Sequence, residues 1–496
     1  MIKRYEQAEI TGIWSNQNKL NLWQETELAV IQAKAILGQI EEGVFLEMSG
    51  ILRGIPIDIE WWLKRDSEIS HDLNAFIEER VRHLPLQLRP YFHGEEELTS
   101  YDVEEPAFSR MLKMSLGPVK ENLSSLIHFL EEMARRYRYA VMMGRTHGQG
   151  AELQTFGKRC LTWHQLLEVD LTTLRMTERG LRYSKISGAI GNYGSIDPQV
   201  EKEALRILGF QPFYGATQIL PRELYVPLAG ALCQIVKTLD KIATDIRLGA
   251  RSGQPIYQEP FGRRQKGSSR MPHKKNTISN EQMEGMARMA KGFQGMIMDN
   301  IETWEERTIE QSSVERVAWP DFFHVALHSI RIMTRVLKGL VVYPDNMLKE
   351  VIDSRGCYAA GEVKKFLAKK GVTFSLSTEE AYRITQLAAF NVFEPSPEVQ
   401  QLRESPFSSL EEANEALLKF QQMPISTPIF IKDIIFKGEL RISPELEAAE
   451  VDIKKWNGVL GQIFQDPANV KEFNQIFSVF YLLKHEAKLY QEILGI

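Results

Sequence analysis

Cysteine is scarce in this sequence and forms no group. The 496 residues include three, Cys160, Cys233 and Cys357, which lie far apart and make no C-x-x-C pair. That excludes zinc-finger and thioredoxin-type motifs and a disulfide framework. Long apolar runs are missing too. No stretch of 18 apolar residues occurs, so no segment reads as a membrane span. The charged start, MIKRYEQAEI, lacks the apolar core of a secretory signal, so the expected location is the cytoplasm. Neither charge sign dominates: 60 Lys and Arg face 65 Asp and Glu, a formal net charge of -5. Without a global basic field, nucleic acid is not an expected partner. Internal repeats and low-complexity segments are also lacking. What is left is ordinary globular composition, 43% apolar and 25% charged, in a chain long enough for about three domains.

The regularity that is present is helical. Leu228, Leu232, Ile235, Leu239, Ile242 and Ile246 alternate four and three apart, the seam of a helix packed lengthwise on other helices. The spacing recurs at Val119, Leu123, Leu126, Leu130 and Met133, at Met286, Ala290, Phe293 and Ile297, and at Ala326, Ile330, Met333, Leu337 and Leu340. A shorter version runs through Trp163, Leu167, Leu171 and Leu174. These seams predict five long helices with no β-alternation between them, and so an all-α chain built on a five-helix bundle. Ala229, Ala231, Met283 and Met286 widen the apolar faces, so the helices need more than one neighbour and burial in an oligomer is expected. The first hundred residues are mixed and helix-rich, with Trp61-Trp62 and Pro56, Pro85 and Pro90 as punctuation. The C-terminal stretch is another helical block, in which PSPEV at 395–399 and MPISTPIF at 423–430 read as loop or extended chain.

Five stretches carry possible chemistry. GSSRMPHKKN, Gly267 to Asn276, lies in a long polar break between two strong helices, and such loops are usually functional or disordered. It offers Ser268 and Ser269 hydroxyls, the Lys274 charge and the Asn276 amide, and the next helix, starting near Ser279, adds a partial positive charge. Those parts suit an anion whose charge grows during reaction; a solvated loop is the plain alternative. GRTHGQGAELQTFG, Gly144 to Gly157, places Thr146 and His147 in a tight polar helix-to-helix connection, where a lone histidine is more often structural. His71-Asp72 reads as a helix start, and Thr99, Ser100 and Asp102 as an N-cap cluster. Arg307, Ser312 and Arg316 could gather to hold a phosphate or carboxylate, or could form a solvated salt-bridge face with Glu305, Glu306, Glu310 and Glu315. His324 and His328 stand one helical turn apart, but no HExxH pattern or third ligand accompanies them, so no metal site is expected. SGAIGNYG, Ser187 to Gly194, has GxxGxxG spacing after a helix and is not a dinucleotide fingerprint.

Taken together, these stretches resemble one family. GSSRMPHKKN is similar to the signature loop of the fumarase/aspartase superfamily, usually GSSxMPxKxN. IKRYEQAEITGIWS, SHDLNAF, LTSYDVEEPA, MMGRTHGQGAE, KISGAIGNYGSIDPQVE, GATQILPRE and ERTIEQSSVERVAWPD resemble the adenylosuccinate lyase branch, in that family's order and over most of the chain before residue 385. The resemblance implies an all-α subunit of three domains, at 1–110, 111–355 and 356–496, and a homotetramer with a twenty-helix core whose active sites are shared between subunits. It implies β-elimination of fumarate from adenylosuccinate, and from the succinylated aminoimidazole carboxamide ribotide, with no metal or organic cofactor. By the same resemblance Ser268 is the general base, His147 the general acid, Glu281 its acidic partner, and Lys274 and Asn276 grip carboxylates. Thr99, Ser100 and Gln218 match succinyl-binding positions. Arg4, Tyr5, Arg307, Ser312 and Arg316 match phosphate-holding ones, and His71 and Asp72 a substrate-contacting pair. Thr146 and Ser269 stand beside the acid and the base and join the substrate-binding set.

The chain departs from the pattern at Ser70 (commonly Arg), at Thr277 (commonly Pro), at Leu224 and Tyr225 within an RDRH-like run, and in Glu95–Glu97, which resembles a small insertion. The C-terminal block is longer than usual. Because these changes lie nearer recognition than chemistry, a fumarate-releasing C–N lyase acting on another succinylated amine stays open beside the adenylosuccinate reading, and so does a non-catalytic structural role.

Overall fold

A computed structural model describes residues 1–93, 97–395, 399–400, 407, 409–422, 428–443, 446 and 451–496. Glu95 and Glu96 of the expected insertion, most of PSPEV and the first five residues of MPISTPIF fall outside them. The described chain is mostly helical and divides into two compact units, residues 1–130, 163–250 and 257–341 in the first, and 131–162, 251–256 and 342–496 in the second.

The five heptad seams lie on long helices, Ser100–Arg136, Phe156–Thr177, Val226–Gly249, Ile278–Asp299 and Glu310–Lys338, except for Leu340, which falls just past the end of the last one at Gly339. Leu228, Leu232, Ile235, Leu239, Ile242 and Ile246 are fully buried, as a seam shared with neighbouring helices requires. Val226–Gly249, Ile278–Asp299 and Glu310–Lys338 pack on one another. Trp163 donates its indole N–H to Asp245 at 2.8 Å and pins the neighbouring helix to them.

The first unit also holds an N-terminal core of its own. Leu20, Trp23, Leu28, Trp62, Leu73 and Phe76 close it between the helices Asn16–Ile36, Glu42–Gly54, Ile59–Ile69 and Asp72–Val81. Ser70 ends Ile59–Ile69 with a left-handed φ of 53°, and His71 accepts the Asn74 N–H at 3.2 Å to start the next helix. The pair is thus a helix stop followed by a helix start. The second unit has a separate core around Val363, Phe366, Leu367, Ile384, Leu387, Trp456 and Leu460.

Two local expectations change. The connection carrying His147 is a β-hairpin, Val141–Thr146 paired antiparallel with Gln149–Thr155, so β-structure does interrupt the helical succession. His147 and Gly148 form its two-residue turn with φ of 52° and 79°, the sign that a tight hairpin turn needs at both central residues. The SGAIGNYG segment follows a two-residue strand, Tyr183–Ser184, paired parallel with Gln211–Pro212, rather than following a helix directly.

Candidate active site

The signature loop is folded around the Ser268 hydroxyl. Ser268 Oγ accepts the Met271 N–H at 3.2 Å and the Arg270 N–H at 3.4 Å. Backbone donors aimed at a hydroxyl oxygen favour its ionised form, which is what a serine needs to act as a base. The loop closes on itself: the Lys274 N–H donates to the Met271 carbonyl at 3.0 Å. A side chain on Gly267 would put its Cβ 2.0 Å from the Lys274 carbonyl oxygen, so only glycine fits there. Ser268 and Asn276 are half-buried, while Ser269 and Lys274 are exposed. Glu281 is exposed in the first turn of Ile278–Asp299, where its N–H donates to the Thr277 carbonyl.

The N-terminus of that helix is not open to an anion in the way its sequence position suggests. The buried carboxylate of Glu259 accepts the Ser279 N–H at 3.0 Å, the Asn280 N–H at 3.3 Å and the Asn280 side-chain amide at 2.9 Å. A carboxylate from the protein already balances the partial positive charge of this turn.

Around the start of Ser100–Arg136 the structure brings several assigned residues together. Gln218 Nε2 lies 3.5 Å from Thr99 Oγ1, and Arg307 donates to Gln218 Oε1 at 2.8 Å. The Arg307 guanidinium lies 4.2 Å from the Tyr101 ring centroid, a cation–π contact that fixes its plane. Tyr101 in turn accepts from Gln311 at 3.0 Å. Burial, then nearby Glu104, pushes the Tyr101 phenol up to about 12, so it stays protonated.

A cavity of about 330 Å³ opens beside this group, lined in part by Lys19, Asp72, Tyr101, Glu104, Ser312 and Arg316. Arg316 donates to Asp72 Oδ2 at 3.1 Å. Lys19 stands 3.8 Å from the same oxygen and lies 4.7 Å and 4.9 Å from the ring centroids of Trp23 and Trp62. Burial lowers the Lys19 ammonium and Asp72 opposes that shift. Burial, then Asp72, pushes Glu104 up to about 7, against the pull of Arg316, Arg307 and Lys19. Lys19, Tyr101 and Glu104 were not singled out from the sequence. The one usable signal was Glu104 beside Glu105 at a helix start next to recognised residues.

The remaining assigned residues lie on other elements. Arg4 is exposed in the N-terminal turn, and Tyr5 packs its ring 5.0 Å from His328. His324 Nδ1 accepts the Gln7 N–H at 3.0 Å and His328 Nδ1 lies 3.2 Å from Gln7 Nε2, so both histidines bind the N-terminal segment. Among the described residues no three His, Cys, Asp or Glu side chains form a metal-holding group. In the second unit Thr146 and His147 are exposed at the hairpin turn, braced by Arg145, which donates to the Gly148 carbonyl at 3.1 Å and pairs with Glu350. Tyr225 is not at the substrate-facing surface its sequence position suggested. It is fully buried, and its hydroxyl donates to Glu105 at 2.9 Å. Glu105 also takes Arg222 at 2.9 Å, and Arg222 reaches Glu315 at 2.8 Å. That departure from the family pattern belongs to a buried polar network.

Residues 63–292 match the model of the lyase family. The fold is similar to that of a fumarate lyase from Mesorhizobium sp. BNC1, with a TM-score of 0.72 and 20% identity over 96% of this chain and 99% of that one. Adenylosuccinate lyase of Bacillus subtilis (strain 168) is 32% identical over 417 residues, 84% of this chain and 93% of the relative. Adenylosuccinate lyase of Synechocystis sp. is 35% identical over 78% of this chain and 88% of the relative. With that identity held over most of both proteins, the chain belongs to the adenylosuccinate lyase family of fumarate-releasing C–N lyases.

Proposed function

We propose that this enzyme eliminates fumarate from adenylosuccinate to give AMP, and likewise from the succinylated aminoimidazole carboxamide ribotide. The observation that carries the reading is the Ser268 hydroxyl under two backbone N–H donors in a glycine-closed loop. Ser268 removes the proton next to a substrate carboxylate, and the loop donors and Lys274 hold the charge that results. Lys274 and Asn276 bind the succinyl carboxylates together with Thr99, Ser100 and Gln218. His147 protonates the departing nitrogen, which suits an imidazole because that group exchanges protons near neutral pH, and Glu281 orients it. Arg307, Ser312 and Arg316 hold the phosphate, with Arg4 and Tyr5. Each catalytic set is drawn from neighbouring subunits of a homotetramer. The three-part division at 1–110, 111–355 and 356–496 is supported by the separate N-terminal and C-terminal cores.

Glu104, which ionises above about pH 7 beside Arg316, favours a second reading, because a carboxylate added to this cavity opposes a dianion. The two readings are separated by comparing kcat/KM for adenylosuccinate with that for succinylated amines that carry no phosphate. Preference for adenylosuccinate supports the first. Turnover of only the unphosphorylated amines supports the second.

A further inference from the structure

Asp102 and Lys185 are both fully buried, and the chemistry above uses neither. Lys185 Nζ donates to Asp102 Oδ1 at 2.6 Å, to the Gln218 carbonyl at 3.0 Å and to the Gly188 carbonyl at 3.1 Å. An ammonium has three donors, and here each has an acceptor. Both Asp102 oxygens are bonded as well: Oδ1 also accepts the Gly188 N–H at 3.2 Å, and Oδ2 accepts the Thr99 N–H at 2.9 Å. One ion pair therefore ties together the turn before Ser100–Arg136, the 185–188 segment and the backbone of Gln218. The side chains it brings together are the Thr99 hydroxyl and the Gln218 amide, whose Nε2 donates to Thr99 Oγ1 at 3.5 Å and to the Ala189 carbonyl at 2.9 Å.

The electrostatics point the same way. Asp102 lies in the first turn of a long helix, where a carboxylate is welcome to the helix but repels any anion arriving at the same turn. Lys185 cancels that charge from within. A buried pair with every donor used and both carboxylate oxygens bonded keeps its geometry, whereas loss of one partner leaves an uncompensated charge.

We propose that the Lys185–Asp102 pair is the positioning element of the substrate's carboxylate fork. It holds the Thr99 hydroxyl and the Gln218 amide side by side and removes the repulsion that Asp102 alone would exert on an arriving carboxylate. This rests on the succinyl-binding reading of Thr99, Ser100 and Gln218.

The test uses the full-length enzyme, Lys185→Met, and the charge-neutral double variant Lys185→Met with Asp102→Asn. Two probes are titrated by calorimetry: fumarate, which carries carboxylates without a nucleotide, and AMP, which carries the nucleotide without carboxylates. Lys185→Met should weaken fumarate on the order of thirtyfold, the weight of one unscreened charge at this range. The double variant should lose only about threefold, because no charge is left uncompensated. AMP affinity should stay within about twofold in both, a split that a general loosening of the fold would not produce. If Lys185→Met does not fold, the double variant is compared with wild type alone. Fumarate affinity equal to wild type in the double variant overturns the proposal, as does a parallel loss of AMP and fumarate in either variant. Wild-type enzyme that binds no fumarate also overturns it. Wild-type enzyme that binds fumarate but leaves adenylosuccinate intact would refute the substrate assignment while leaving the positioning role standing.

Discussion

Arg316 donates to Asp72 Oδ2 at 3.1 Å although 244 positions separate them, and Lys19 approaches the same oxygen at 3.8 Å. One carboxylate thus holds two cations in a single cavity, where each alone would repel the other. Counting Arg307 nearby, positive charge remains in excess while Glu104 is neutral, and a phosphate can use it.

Arg316→Ala should therefore act on binding. The KM for adenylosuccinate should rise roughly tenfold to a hundredfold while kcat changes by less than about threefold, because a remote phosphate contact is uniform binding. Steady-state kinetics on adenylosuccinate and on its dephosphorylated nucleoside provide the check. The nucleoside should show almost no difference between wild type and variant. An unchanged KM for adenylosuccinate would mean that this cavity holds no phosphate.

Glu104 makes the cavity sensitive to pH. Burial and Asp72 push its carboxyl up to about 7. Below that pH it is neutral and the cations face the substrate; above it, a second carboxylate competes for Arg316, Arg307 and Lys19. The wild-type KM for a phosphorylated substrate should climb as pH rises through 7, on the order of tenfold, and Glu104→Gln should remove that climb. The stability effect has a matching sign. A raised carboxyl pKa contributes stability that is complete below the ordinary value of 4.5 and is lost as pH rises through about 7. Wild type should thus lose melting temperature relative to Glu104→Gln across that window. Parallel pH profiles for the two proteins would contradict the assignment.

The network under the cavity is a matter of stability. Arg222, Glu105 and Glu315 are all buried. Burial disfavours the Arg222 charge, but Glu105 and Glu315 outweigh it and hold its pKa well above the usual value. Arg222→Met leaves two buried carboxylates without their cation and should cost about 3–5 kcal/mol. Replacing Glu105 and Glu315 with Gln in the same protein should recover most of that. Reversible denaturant unfolding measures it, and a loss of under about 1 kcal/mol would show that the network is well hydrated.

What could be read from the sequence follows physical lines. Leu228 to Ile246 announced a buried helix because heptad spacing reports directly on packing. The signature loop and the Thr99 and Arg307 segments stood out as candidates because their residues are local in sequence. The hairpin at His147 was not, because its turn is His-Gly, outside the common Asn-Gly or Asp-Gly signals for left-handed turn residues. The Glu259 cap lies about 20 residues before the helix it caps, beyond the reach of capping rules that look only a few residues back. Lys19, Asp72, Glu104 and Arg316 come from four separate segments, and only the fold makes them one cavity. Tyr225 looked like a recognition residue because its neighbours in sequence did, and burial decided otherwise.

Assembly gives a prediction independent of any cavity. If the proposed homotetramer shares its sites between subunits, the His147→Gln and Ser268→Ala proteins should each be inactive. Dissociated and reassembled together, they should form hybrids in which roughly a quarter of the sites are fully wild type, as closed symmetry with residues drawn from different chains requires. Activity should return on mixing and fail to return under dilution that blocks reassembly. Hybrids seen by native mass spectrometry that remain inactive would mean that both residues act from the same chain.

The most direct measurement is product release from adenylosuccinate by the purified enzyme, with Ser268→Ala prepared in parallel as the control against a contaminating lyase. Wild type should release AMP and fumarate in equal amounts, separable by chromatography. Ser268→Ala should remain folded and assembled yet turn over roughly 10²–10⁴-fold more slowly, the usual weight of a positioned base. No release by wild type, or equal release by both proteins, would contradict the account.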